Sequence, residues 1–172
     1  MKRLALLLVA LALAGCGYHL QRARNLPPVM QRTAIVGANP YGTLVRQLTR
    51  ALSGTNIKVV QSPAVATAEL HILRDDAGQR VSSVDSKDRP QAYELHYAIS
   101  FSVTHKGQTL LAPQTVSLTH DYVFDPDNVL AGNQEARRLL DAMRSDLVQV
   151  ILRRLAAVKA PAPVAAEAAK AG

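Results

Sequence analysis

A single cysteine, Cys16, stands among 172 residues, so no disulfide can close within the chain. Tryptophan is absent and phenylalanine occurs twice. Basic residues without interleaved rings make a poor stacking platform, which argues against a nucleic-acid partner. The histidines, His19, His71, His96, His105 and His120, form no His-x-x-x-His or Cys/His pattern, so no metal or other cofactor is expected. His96 and His120 are the pair that neighbouring strands could bring together. There is no Gly-x-Ser-x-Gly, no P-loop and no Gly-x-Gly-x-x-Gly, which removes the common hydrolase and nucleotide-binding signatures. Asp75, Asp76, Asp85 and Asp88 lie in polar, loop-like sequence, where solvated turn residues account for them as well as acid–base carboxylates would. No enzyme activity is expected.

Long apolar runs are also missing, with one short exception. Met1-Lys2-Arg3 is a positive start, and Leu4 to Leu13 follows as an unbroken apolar stretch. A bilayer span needs about 20 apolar residues, so this stretch suits the core of a signal peptide instead. It ends in Leu13-Ala14-Gly15-Cys16, the lipobox of bacterial lipoproteins. Small residues before the cysteine admit the segment to a peptidase in extended form, and the thiol then accepts a diacylglyceryl group. The expectation is a signal peptide over 1–15, cleavage before Cys16, and a lipid anchor there. Each buried CH₂ contributes roughly 0.8 kcal/mol and two or more chains give a stable anchor. Gly17, and not Asp, follows the cysteine, which suits the outer membrane under the sorting rule of enteric-type bacteria. About 157 residues remain after cleavage, enough for one domain. They carry 18 basic against 13 acidic residues, an excess that favours an anionic partner such as lipid or a phosphorylated glycan.

Residues 16–31 read as the lipidated N-terminus and tether, with Pro27-Pro28 inside it. Residues 32–158 read as one α+β domain. Thr33 to Val36 is a short strand. Asn39-Pro40 is a helix start, with Asn as cap and Pro in the first turn. Leu44, Val45, Leu48 and Leu52 keep helical spacing as far as Gly54, a helix-ending residue. Ile57 to Val60 is a second strand. Glu69 to Leu73 begins a third, which resumes at Arg80 to Val84 after Asp76-Ala77-Gly78. From Ala92 to Thr104, Tyr93, Leu95, Tyr97, Ile99, Phe101 and Val103 alternate with polar or small residues, a two-residue period that only a strand satisfies. Lys106-Gly107 is a hairpin turn leading to a strand over Thr109 to Phe124. Within it Pro113 marks a bulge or an edge, because it cannot donate to a ladder.

Asn133 is the expected cap of the last helix, with Glu135 in its first turn. Its apolar stripe is Leu139, Leu140, Met143, Leu147, Val150, Ile151, Leu155 and Val158. Arg137, Asp141, Arg144 and Arg153 lie off that stripe. Packing on the sheet is the favoured reading of this helix, ahead of lying on a membrane. From Lys159 to Gly172 the chain is Ala, Pro and a few charges, a disordered tail by composition. The predicted fold is a two-layer α+β sandwich, a mainly antiparallel sheet of four to five strands with two helices on one face. The other sheet face carries the polar alternates and must be solvated or set against something wet.

Arg74, Arg80, Lys87 and Arg89 are the candidate binding residues. They gather near one end if the strands pair as read. Interleaved Asp75, Asp76, Asp85 and Asp88 weaken the field, so the cluster is either an anion site or a solvated charged loop.

Taken together, these segments resemble the LptE family of lipopolysaccharide-assembly lipoproteins. The resemblance begins at Cys16-Gly17-Tyr18-His19-Leu20 and continues through the Pro27 segment and the helix after Asn39-Pro40. It extends over Ala92-Tyr93-Glu94-Leu95, Asp125-Pro126 and Asn133-Gln134-Glu135, nearly the whole mature chain. It implies a non-enzymatic, periplasm-facing protein of the outer membrane, lying in the lumen of the LptD β-barrel as a plug. Such a protein helps that barrel assemble and binds lipopolysaccharide during delivery to the cell surface. It also implies two basic positions. One lies in the loop before the Tyr93 strand, where Lys87 and Arg89 stand. The other precedes the last helix, where this chain has Gly132. The rival reading is a lipoprotein adaptor or assembly factor for another envelope complex.

Overall fold

The alternating segment does form a long interior strand of the sheet. In the computed structural model, which describes residues 25–37 and 39–158, β4 spans Pro90–His105. Its Leu95, Tyr97, Ile99, Phe101 and Val103 are almost completely buried on one face. Burying a side chain of this size contributes roughly 1.5–3 kcal/mol, so this row alone directs the sheet's orientation. β3 (Ala68–Val84) and β5 (Gln108–Val123) flank β4 in antiparallel register. On the far side of β3, the short β1 (Arg32–Val36) runs parallel to it, and β2 (Lys58–Val60) runs parallel to β1. The strand order is β2-β1-β3-β4-β5. The sheet is therefore mixed, antiparallel in its long half and parallel in its short half. The parallel half follows from α1 (Thr43–Ser53), which carries the chain from β1 back to the start of β2, a crossover that parallel neighbours require.

β3 is one strand where the sequence suggested two. Asp76-Ala77-Gly78 stays in the ladder, opposite Ala98, Tyr97 and His96, because the long β4 offers a partner at every position. The irregularity lies earlier. The register slips at Leu73, between Ile72 and Arg74, a bulge that turns the following residues over. Before it Leu70 and Ile72 face the core. After it Arg74, Asp76 and Arg80 take the opposite face, and Asp75, Ala77 and Gln79 take the core side. A second slip lies opposite Ser102, between the Phe101/Gln114 and Val103/Leu111 pairs. That places a bulge at Ala112-Pro113, on a strand that is also the sheet's edge. At Lys106-Gly107 both residues have positive φ, 49° and 78°, as a tight two-residue hairpin demands.

α1 and α2 (Val129–Ala156) cover the apolar face. Leu44, Leu48 and Leu52 from α1 and Met143, Leu147, Ile151 and Leu155 from α2 join one core with the β4 row. Both helices begin where the sequence did not place them. Asn39 instead organises a turn, accepting from the Tyr41 amide through its side chain and from the Gly42 amide through its carbonyl. The helix then starts at Thr43 after Gly42. Asn128, not Asn133, caps α2, its side chain accepting from the Ala131 amide. Asn133 and Glu135 are already inside that helix.

The segment read as a tether is structural from Leu26 onward. Leu26 and Met30 are fully buried, and the Asn56 side chain clamps both the amide and the carbonyl of Leu26 at 2.9 and 3.0 Å. The domain thus starts before residue 32. The signal peptide over 1–15, Cys16 and the tail over 159–172 lie outside the described residues.

Candidate functional site

Three features outside the core have the composition of a binding surface. The first is the sheet face that the helices leave bare. Register places its side chains in rows across β3, β4 and β5: Arg80, Glu94 and Asp121; then His96 and Thr119 beside Gly78; then Asp76, Ala98 and Ser117; then Arg74, Ser100 and Thr115. All are exposed or half-exposed, and no side chain among them is apolar and larger than alanine. Hydroxyls and charges satisfy one another within the face. Ser100 and Thr115 share a 2.8 Å hydrogen bond, Arg80 pairs with Glu94 at 2.8 Å, and Arg74 pairs with Asp76 at 2.8 Å. The Glu94 hydrogen bond raises the Arg80 pKa further. Such a face has no drive to form a dry interface.

The second feature is the turn between β3 and β4. Asp85 anchors it by accepting from the amides of Lys87 and Arg89 and from the Arg89 guanidinium at 2.8–2.9 Å. Those amides, Arg89's foremost, hold the Asp85 carboxyl below its ordinary range. Asp88 takes the left-handed conformation at φ 58°, which an Asx residue tolerates. Lys87 is exposed, and among the described residues its ammonium forms no ion pair. An open cleft of about 450 Å³ separates this turn from the start of α2. It is lined by Arg89 and Asp85 on one side and Val123, Phe124 and Asp125 on the other.

The four predicted cations do not gather. Lys87 and Arg89 share the turn, but Arg80 and Arg74 stand progressively further down β3, and at about 3.3 Å per residue those two are roughly 20 Å apart. Each is also already paired with a carboxylate. His96 and His120 do not converge either. His96 lies beside Thr119 on the bare face, whereas His120 lies opposite Leu95 on the helix side. Among the described residues, no group of three or more His, Cys, Asp or Glu is placed to hold a metal ion.

The third feature was not visible in the sequence. Near the same turn, Tyr93 stacks on Tyr122 at 5.7 Å and meets Phe124 edge-on at 5.2 Å. Around this trio Val123 and Leu130 are 85% and 67% exposed, with Val81, Val84 and Val129 about half exposed. The only signal for it was Tyr93 at the head of the alternation. Gly132 belongs here too. A Cβ on it would lie 2.9 Å from the Phe124 ring, so the ring occupies the space a basic side chain would need.

The two-layer α+β fold of this domain is one that a class of small lipoproteins of solved structure shares. The solution structure of an uncharacterized lipoprotein B from Nitrosomonas europaea aligns with a TM-score of 0.68 at 28% identity, covering 82% of this chain and 91% of that one. A crystal structure of the rare lipoprotein B from Shewanella oneidensis aligns at 0.64 and 25% identity, covering 73% and 94%. Within that class, the family described as LptE, lipopolysaccharide-assembly, matches residues 30–155, and the chain belongs to it. The LPS-assembly lipoprotein LptE of Yersinia enterocolitica is 28% identical over 162 residues, covering 92% of this chain and 78% of its own. Among the described residues no helix is long and apolar enough to cross a membrane.

Proposed function

We propose that this chain is a non-enzymatic, periplasm-facing lipoprotein of the outer membrane, anchored through lipid on Cys16. Its domain sits in the lumen of an LptD-type β-barrel, helps that barrel assemble, and binds lipopolysaccharide on its way to the cell surface. The observation that carries this reading is the bare sheet face. Barrel interiors are polar and wet, and hydroxyl rows such as Ser100, Thr115, Ser117 and Thr119 suit an interface bridged by water. Membership of a lipopolysaccharide-assembly family supports the partner and the ligand. At the tip, Lys87 and the Asp85-paired Arg89 offer cations to phosphate, and Val123, Leu130 and the half-buried rings of Tyr93 and Phe124 offer apolar surface to acyl chains. A phosphorylated amphiphile matches both.

The test is affinity purification from detergent-solubilised outer membrane. Wild type brings down a barrel protein in one-to-one ratio. A Ser100→Arg, Ser117→Arg variant, whose substituted positions both lie on the bare face, loses that partner while keeping its thermal midpoint. Capture unchanged by the double variant means that another surface faces the barrel. Recovery of wild type with no barrel at all refutes the reading.

A further inference from the structure

The topology sorts charge along the long axis of the domain. β3 and β4 meet at the upper turn around Lys87, while β1, β2 and β3 all begin at the opposite, lower end, where β4 finishes. α1 runs down to that end before feeding β2, and the last turns of α2 reach the lower part of the sheet, where Arg154 holds Gln114 at 2.7 Å. Every described acidic residue except Glu69 lies within 75–94 or 121–146, in the upper and middle parts of these elements. Glu69, the one carboxylate at the lower end, lies 3.3 Å from the His71 ring. The lower part carries Arg32, Arg50, Lys58, Lys106 and Arg153, all exposed, and none is in an ion pair among the described residues. Arg32 and Lys58 are direct neighbours across the β1–β2 ladder. Like charges so placed repel and destabilise a sheet, so the pair is a liability that an external anion would relieve.

The chain's entry point is at the same end. Leu26 is clamped by Asn56, two residues before Lys58. Leu26 lies ten residues after Cys16, a span with a reach of about 17 Å as a coil and at most about 35 Å fully extended. Two more cations, Arg22 and Arg24, lie in that stretch. A lipid on Cys16 therefore keeps the basic end within a few tens of Å of the membrane at most, a tether that lets it reach the layer of roughly 8 Å over which surface charge is felt at physiological salt.

We propose that, until the barrel takes up the domain, the lower end, through Arg32, Arg50, Lys58, Lys106 and Arg153, rests on anionic phospholipid headgroups of the membrane holding the anchor, orienting the domain with its Lys87 turn pointing away. This rests on the reading of Cys16 as the lipid anchor, but its test does not. The full mature chain is made with Cys16→Ser, so that binding reports headgroup contact alone. It is titrated against vesicles of phosphatidylcholine, and against vesicles in which phosphatidylglycerol replaces about a third of it. Wild-type surface binds the anionic vesicles and not the neutral ones. Each cation near such a surface is worth about 1 kcal/mol, or roughly fivefold, so Arg32→Gln, Lys58→Gln weakens binding by about an order of magnitude or more. Raised salt abolishes the difference. Arg137→Gln, Arg138→Gln, in the first third of α2 and away from the lower end, leaves vesicle binding unchanged. Equal affinity for the two vesicle types overturns the proposal, as does an equal loss in both double variants. Neither result bears on barrel capture, which is read separately in the purification.

Discussion

Substituting Tyr97→Phe removes one hydroxyl from the junction between α2 and the sheet and leaves the ring in place. Tyr97 is 1% exposed. Its hydroxyl donates to Asp75 at 2.8 Å and accepts from the Arg144 Nε at 2.9 Å, while the guanidinium lies over the ring, 5.3 Å from its centre. Arg144 also bonds Asp141. Phenylalanine preserves the packing and the cation–π contact, so the variant reports on the hydroxyl alone. Asp75 is exposed and rehydrates when its partner goes. The Arg144 side chain is only 15% exposed, so its Nε loses an acceptor that water replaces poorly. A hydrogen bond to a charged group is worth about 1.5–3 kcal/mol, and a loss of that size lowers the thermal midpoint of a domain this long by about 5–12 °C. Circular-dichroism melts of the mature chain at neutral pH measure it. Alkaline titration supplies an independent check. Burial pushes the Tyr97 pKa from 10 up to about 12, which means the fold favours the protonated phenol. That stabilisation is complete below pH 10 and fades as pH rises toward 12. The gap between wild type and Tyr97→Phe therefore narrows over that window, while Tyr122, also raised by burial, contributes equally to both. A midpoint within about 1 °C of wild type, with no pH-dependent gap, would refute the account of this junction.

Two further outcomes are expected. Leu147→Ala, at a position 1% exposed beneath α2, destabilises by about 2–5 kcal/mol; an unchanged midpoint in urea or heat means that α2 does not bury that face. Lys87→Asp, Arg89→Asp keeps the fold and weakens lipopolysaccharide binding severalfold in a low-salt titration, with a smaller effect at moderate salt. Equal affinity at both salts places the phosphate contacts elsewhere than the tip.

The β4 alternation, the Lys106-Gly107 turn, the Pro113 irregularity and the α2 stripe were all legible in the sequence, because each depends on residues close together along the chain. A two-residue period, a pair of positive-φ positions and a missing amide act locally, whatever lies across from them. The Cys16-Gly17-Tyr18-His19-Leu20 start and the ordered matches behind it were enough to indicate the family. The helix starts were less legible. Asn39 and Asn133 are both competent caps by type, and only the competing Asn39 turn and the Asn128 side chain decided otherwise.

What the tertiary structure alone decided are the facts that depend on a partner strand or a distant side chain. The Leu73 bulge reverses the face of all that follows in β3. It puts Asp75 under α2 and Arg74 and Arg80 on the bare face, and no local pattern announces which residue a ladder will skip. Arg144, polar by sequence and expected off the stripe, is drawn in because the Tyr97 hydroxyl, itself held by Asp75, accepts from it there. A Cβ at Gly132 would press on the ring of Phe124, eight residues earlier, at 2.9 Å. The separation of charge along the domain has the same origin. Arg32, Lys58 and Lys106 are scattered in the chain and come to one end only because β1 and β2 are parallel and the long strands fold back on each other.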